Sequence, residues 1–251
     1  MALVLGETTA GGIACLFLTP LWREVRRGFF KLTGIVLLVI AAAAWRSVAA
    51  GLVNGSVAGR WSLWLSGALT AFVLGWVVVL FVRAATAARI LGIASVPLAV
   101  AVLGAMAGTS EGSHAVGLLQ LLAGAAFLGA VTDGLLLGHW YLTDRGLTRT
   151  PINRYTLFLI VAVVLETAAV IGGGFGPTPA SRAINPLLTA AGLASWIALG
   201  MVAATALIAV LIHQTLKGAR SSAVQAATGF FYIAVITALT AEFAAKVRFL
   251  P

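Results

Sequence analysis

Charged residues are scarce in this 251-residue chain. Asp, Glu, Lys and Arg together make up 9% of it, whereas hydrophobic residues make up 61%. Ordinary soluble domains carry about 25% charged and roughly 45 to 50% apolar residues. This shortage of charge excludes a soluble globular domain and predicts an all-α integral membrane protein.

Cysteine is nearly absent, since Cys15 is the only one. A single cysteine excludes an intramolecular disulfide and also excludes Cys-rich zinc and iron–sulfur sites. The sequence has no HExxH motif, no Walker A motif and no TVGYG filter, which argues against a zinc protease, a P-loop nucleotidase and a potassium channel. No lysine lies in the middle of a late apolar segment, where a retinal-binding protein would need one.

Long apolar stretches dominate what is present. A transmembrane helix needs about 20 mostly apolar residues, and eight stretches bounded by Gly, Pro, Asn or charge come near that length: 3–20, 32–52, 61–83, 91–109, 117–141, 155–175, 186–213 and 223–245. No polar stretch between them is long enough for a soluble domain. The sequence therefore predicts one transmembrane domain over 1–251, a bundle of about eight helices.

The basic residues alternate between the two sides of this bundle. The loops after the first, third, fifth and seventh segments hold Arg23, Arg26, Arg27, Lys31, Arg83, Arg89, Arg145, Arg149, Arg154, Lys217 and Arg220. The opposite side holds only Arg60, Arg182, Lys246 and Arg248. Because Lys and Arg concentrate on the cytoplasmic side, we expect both termini on the non-cytoplasmic side of a bacterial plasma (inner) membrane.

The net charge of +9 does not indicate nucleic acid. The basic residues sit in short clusters between apolar runs and form no continuous basic stripe. Such clusters attract anionic lipid headgroups at the inner face. The predicted partners are the bilayer and, for a subunit of a larger complex, other membrane proteins.

Ionisable groups inside a bilayer are costly and usually pair with one another. Glu7 and Arg46 lie at similar depth on the first two segments, so we expect an ion pair between them, although the pair could also belong to a site. Glu242 precedes Lys246 near the end of the last segment, and we expect it to reach the interface or to pair locally.

Two carboxyl groups are the candidate catalytic residues. Glu166 falls near the middle of the sixth segment, and Asp133 lies in the inner third of the fifth. A carboxyl at such depth is protonated, bonded to another helix, or part of a proton or ion path. At about 100° per residue, His139 points about 120° away from Asp133, so the two are not expected to share a site.

His139 and His213 are the candidate metal ligands. Each lies at the inner end of its segment, so the two imidazoles have comparable depth on different helices. This is the minimum arrangement for axial ligation of a b-type haem. Interfacial hydrogen bonding is the simpler alternative for both residues.

The stretch "GHWYLTD" offers a second cofactor hypothesis. His139 and Tyr141 can donate hydrogen bonds to quinone carbonyls, and Trp140 can supply a flat apolar wall. An aromatic belt at the end of a helix is the alternative interpretation of the same residues.

Three functions are compatible with the sequence. The first is a redox subunit that binds haem b or quinone near the cytoplasmic face, with Glu166 or Asp133 moving protons. The second is a small-ion or solute transporter or channel lined by these two carboxyls. The third is a non-catalytic scaffold subunit. The redox hypothesis explains why imidazoles lie at matched depth beside aromatic rings, and we take it as the first expectation.

Overall fold

The computed structural model of the chain describes residues 1–53, 55–82, 84–110, 113–144, 146–175, 192–218 and 222–247. Within these ranges the regular elements are helices and no strand is present. In chain order they are α1 (Ala2–Leu18), α2 (Leu21–Glu24), α3 (Arg27–Gly51), α4 (Val57–Phe81), α5 (Ala85–Ala107), α6 (His114–Thr143), α7 (Thr150–Gly173), α8 (Leu193–Lys217) and α9 (Ala223–Lys246).

The predicted all-α polytopic bundle is confirmed. Helices α3 to α9 are each long and apolar enough to cross a membrane, and α1 is a shorter apolar helix. The 17 residues of α1 measure about 26 Å, slightly less than a bilayer core of about 30 Å. Thirteen of them are buried against other helices. Because its neighbours surround it, α1 does not need to reach both lipid headgroup layers.

The observed helices extend beyond several predicted segments. Helix α4 begins at Val57, ahead of residue 61, because Ser56 caps it by accepting a hydrogen bond from the backbone N–H of Gly59 at 2.9 Å. Helix α5 begins at Ala85, ahead of residue 91. Hydropathy locates the end of an apolar run, whereas these helices continue into polar sequence. The predicted start at 186 lies outside the described residues.

In the described parts of the chain, α1 and the seven long helices α3 to α9 form two units with the same packing pattern. In the first unit α1 packs on α3 and α5, α3 on α4, and α4 on α5. In the second unit α6 packs on α7 and α9, α7 on α8, and α8 on α9. Each unit is therefore a ring of four helices, from which only the four-residue α2 is left out, and α1 and α6 hold equivalent positions in the two rings.

The two units meet mainly through α1 and α6. A methyl group added to Gly11 of α1 would lie 1.7 Å from the carbonyl oxygen of Ala125 in α6, and one added to Gly129 would lie 2.3 Å from the backbone of Gly11. Glu7, earlier in α1, lies beside Gly124, earlier in α6. Residue numbers rise together along both helices, so α1 and α6 run parallel with their backbones in direct contact.

Large hydrophobic side chains cover the outside of the bundle. Exposed examples occur on six helices: Val39, Leu74, Ile90, Val164, Leu207 and Ile236. A soluble protein rarely exposes so much contiguous apolar surface. The protein is therefore a multi-pass membrane protein whose outer surface contacts the lipid bilayer.

We expect the substitution Gly11→Ala to destabilise the bundle. The added methyl group would meet backbone atoms of α6, which cannot rotate away, and overpacking of this kind costs about 1–3 kcal/mol. Gly75→Ala on α4 is the matched control, since nothing lies within 4 Å of its added methyl. Thermal unfolding of both variants in detergent measures the difference. Equal melting temperatures would contradict the close α1–α6 contact.

Candidate functional site

Glu7 is completely buried and pairs with a lysine from the other end of the chain. Its side chain is 0% exposed, and its Oε1 lies 2.8 Å from Nζ of Lys246 at the end of α9. Arg46 is exposed on α3. The predicted Glu7–Arg46 ion pair is therefore wrong. The last turn of α9 lies beside the first turns of α1, so Lys246 and not Arg46 is within reach of Glu7.

Glu242 is buried beside the same lysine. Its Oε2 lies 3.0 Å from Nζ of Lys246, one helical turn later, and its side chain is 0% exposed. The expected local pairing is confirmed, but Glu242 does not extend to the interface. Nζ of Lys246 also donates a hydrogen bond to the backbone carbonyl of Gln120 in α6 at 3.4 Å.

Glu166 joins this group from α7. It is buried, it lies within hydrogen-bonding reach of Glu242, and it interacts electrostatically with Glu7 and Lys246. Gly124 provides the space on α6, since a methyl group there would lie 2.6 Å from Oε1 of Glu7. We call Glu7, Glu166, Glu242 and Lys246 the carboxyl–lysine cluster.

Carboxyl groups outnumber the ammonium group in this cluster by three to one. Burying an unpaired ion costs several kcal/mol even after relaxation, so three ionised carboxylates beside one ammonium would be strongly unfavourable. Among the described residues, Oε2 of Glu166 and Oε1 of Glu242 have no hydrogen-bond donor. A carboxyl can donate to a neighbouring carboxyl only when it carries a proton. The geometry therefore suits a site that holds and exchanges protons.

A second buried polar group surrounds Asp133 on α6. The Asp133 side chain is fully buried, and the hydroxyl of Tyr155 on α7 donates to its Oδ2 over 3.4 Å. The Cys15 thiol on α1 is close enough to interact electrostatically with Asp133, and Thr19 lies within hydrogen-bonding reach of Tyr155. We call the hydrogen-bonded side chains of Asp133 and Tyr155 the Asp133–Tyr155 pair.

The carboxyl–lysine cluster, on α1, α7 and α9, and the Asp133–Tyr155 pair, on α6 and α7, lie at different heights in the bundle. Glu7 and Cys15 are eight residues apart on α1, a rise of about 12 Å. Glu166 and Tyr155 are eleven residues apart on α7, a rise of about 16 Å. The glycine contact between Gly11 and α6 lies between the two heights. Both groups therefore lie where the two four-helix units meet.

His139 contacts α9 and not Asp133. Nε2 of its ring lies 2.9 Å from the hydroxyl of Tyr232, so the expectation that Asp133 and His139 occupy separate sites is confirmed. His213 is half-buried on α8, and its Nδ1 is buried without a hydrogen-bond partner among the described residues. No hydrogen bond or ring contact joins His139 to His213 in the described parts of the chain. Haem ligation by this pair stays a prediction.

Trp140 and Tyr141 contact other parts of the protein. The Trp140 ring packs on α3, where a methyl group at Gly28 would lie 2.3 Å from it, and it also contacts Phe29. The Tyr141 hydroxyl donates to the backbone carbonyl of Thr148 in the connection to α7. The structure therefore directs His139, Trp140 and Tyr141 to three different neighbours, and the quinone interpretation stays a prediction.

Sequence reasoning identified Glu166 and Asp133 but missed their partners. The signal for Lys246 was present, because Glu242 and Lys246 have the i, i+4 spacing of a helical ion pair. Tyr155 and Gly124 gave no such signal, since a tyrosine or a glycine in an apolar helix is commonplace. Their importance depends on which helices are neighbours.

Comparison with known proteins gives no family for this chain. No family model, no curated protein and no solved structure matches it. Its function is therefore inferred from its own contacts, burial and charges.

Proposed function

We propose that this protein is a small-ion transporter of the membrane, and that the ion it moves is the proton. The carboxyl–lysine cluster is the observation that carries the proposal. Three buried carboxyl groups from α1, α7 and α9 converge on one ammonium group. Ionisable residues inside a membrane mark proton and ion pathways, and a group with more carboxyls than cations has protons to accept and release.

The position of the cluster supports a transport role. In transporters built from structural repeats, the ion and substrate sites lie where the repeats meet. Here the two four-helix units repeat one packing pattern, and the carboxyl–lysine cluster draws residues from both. The Asp133–Tyr155 pair, further along the same interface, provides a second proton-accepting group. A proton path would run between them along α1, α6 and α7.

We expect Glu166→Gln and Asp133→Asn to slow proton movement. Purified protein in liposomes that contain a pH-sensitive dye would take up protons when a potassium diffusion potential, negative inside, is imposed. Each amide substitution removes a proton-accepting group, and such groups contribute on the order of 10²-fold or more to proton transfer. A decrease of about tenfold or more in the initial rate of acidification is the expected result.

Glu24→Gln is the matched control for this experiment. Glu24 lies on the short helix α2, outside both buried groups, where it pairs with Arg154 at 2.8 Å. Its variant should transport at the wild-type rate. A wild-type rate equal to that of protein-free liposomes would overturn the proposal. Transport together with unchanged rates in both amide variants would overturn the assignment of the residues.

The redox function is the second candidate. The observation that favours it is the buried Nδ1 of His213, which has no hydrogen-bond partner in the described parts of the chain. If His139 and His213 ligate haem b, or take part in binding a quinone, then Glu166 and Asp133 would supply protons to that reaction. A scaffold subunit is the alternative if the protein shows neither a cofactor nor proton transport.

An absorption spectrum distinguishes the redox function. We expect a haem-containing protein to show a Soret band that sharpens when dithionite is added, and His139→Ala and His213→Ala should each remove it. Glu166→Gln should leave the cofactor bound, because Glu166 contacts the carboxyl–lysine cluster and neither histidine. A featureless spectrum from protein purified in mild detergent with haem supplied during growth would contradict haem binding.

We also propose that both chain ends face away from the cytoplasm of a bacterial plasma membrane. The Glu7–Lys246 pair places α1's start and α9's end at one end of the bundle, and the basic loops lie mainly at the other. Alkaline phosphatase fused after residue 251 should be active, because it folds only outside the cytoplasm. A green fluorescent protein fusion that is bright at the same site would contradict this orientation.

A further inference from the structure

Two cavities meet at the end of α1. The larger is an apolar groove of about 490 Å³ between α5 and α7, with α1 and α6 as its floor. The smaller is a pocket of about 270 Å³ that contains two arginines. Leu18 and Thr19 line both cavities. The two cavities are therefore adjacent parts of one elongated depression.

The groove is lined mainly by apolar side chains and is suited to binding a hydrocarbon chain. Its walls include Val100 and Leu103 of α5 and Leu157 and Phe158 of α7, and its floor includes Ala14 of α1. Helix α5 packs on α1 and α6, and α7 packs on α6, but α5 and α7 do not form a packed pair. The groove is consequently accessible from the side, where the lipid lies.

The smaller pocket has the character of a site for an anion. Arg23 and Arg89 line it together with Trp22, and both arginines are exposed. Neither arginine forms an ion pair with an acidic residue in the described ranges. A guanidinium group matches the geometry of phosphate and binds it through two parallel hydrogen bonds. An indole at this depth is typical of the interfacial layer.

One face of α5 connects the two cavities. Arg89 and Ile93 line the pocket, whereas Val100 and Leu103 line the groove. Their spacings of four, seven and three residues keep all four on one side of a helix. From Arg89 to Leu103 the rise is about 21 Å. One leaflet contributes about half of a 30 Å hydrocarbon core, so this length matches a lipid headgroup followed by its chain.

We propose that the groove and the pocket together bind an anionic phospholipid of the surrounding bilayer. One acyl chain lies in the groove between α5 and α7, and the phosphate lies between Arg23 and Arg89. Basic pockets between transmembrane helices bind anionic headgroups in this way. The site is separate from the carboxyl–lysine cluster and does not depend on the function proposed for it.

The test measures thermal stability of delipidated protein in detergent, titrated with phosphatidylglycerol or with phosphatidylcholine of identical chains. A ligand that binds only the folded state raises the melting temperature in a saturable manner. We expect saturable stabilisation by phosphatidylglycerol that the double variant Arg23→Gln/Arg89→Gln loses. Lys217 is an exposed basic residue outside the pocket, and the variant Lys217→Gln should retain the stabilisation by phosphatidylglycerol.

Ala14→Phe tests the groove independently of the arginines. Ala14 is half-buried and lines the groove, so a phenyl ring there should compete with the acyl chain and weaken binding at least severalfold. Equal stabilisation by phosphatidylcholine would overturn the proposal. Full stabilisation by inorganic phosphate alone would also overturn it, because the groove would then contribute nothing. Displacement of phosphatidylglycerol by a much lower concentration of polyprenyl phosphate would show that the occupant is a different lipid.

Discussion

The backbone contact between α1 and α6 is the constraint on which the rest of the structure depends. Gly11 and Gly129 allow the two helices to touch without intervening side chains. Lipid is as apolar as leucine, so helices in a membrane associate through close packing and polar contacts. A close contact between two parallel helices holds the four-helix units together and buries most of α1 against other helices. The polar residues of α1 are buried for this reason.

Burial determines how those polar residues can be neutralised. On a helix at the outside of the bundle, the Glu7 side chain could extend to the interface and be hydrated there as an ionised carboxylate. At the centre of the bundle it must be satisfied by protein, and Lys246 and Glu242 are within hydrogen-bonding reach. One ammonium cannot neutralise Glu7, Glu166 and Glu242 together. The remaining carboxyl groups are stabilised by protons, and this capacity to hold protons is the basis of the proposed function.

Much of the fold could be predicted from sequence, because hydropathy is a property of single segments. The eight apolar stretches correspond to α1 and to the seven long helices α3 to α9, with ends displaced where a helix continues into polar sequence. The candidate site was less accessible, because it depends on which helices are neighbours. Glu7 and Arg46 share a depth and adjacent segments, yet Glu7 pairs with a residue 239 positions away. The depth of a residue in the membrane can be read from one segment, whereas the helix that its side chain points toward cannot.

The two candidate haem ligands show the same limit of sequence-based prediction. His139 and His213 have matched depth, but α6 packs mainly on α1, α7 and α9, while α8 packs on α7 and α9. The side chain opposite His139 is Tyr232 of α9. Equal depth is thus necessary for a shared site but not sufficient, because the two residues must also lie on helices that pack on each other.

Two features at the edge of the α1–α6 contact follow from the same arrangement. Each unit closes on itself as a ring, so the helices at the border between the rings, α5 and α7, pack inward on α1 and α6 and not on each other. The space left between them is the apolar groove. At the other height, side chains of α7 and α9 approach Glu7 of α1 and complete the carboxyl–lysine cluster. A lipid-accessible groove and a buried polar cluster are therefore two results of joining two four-helix rings through one pair of helices.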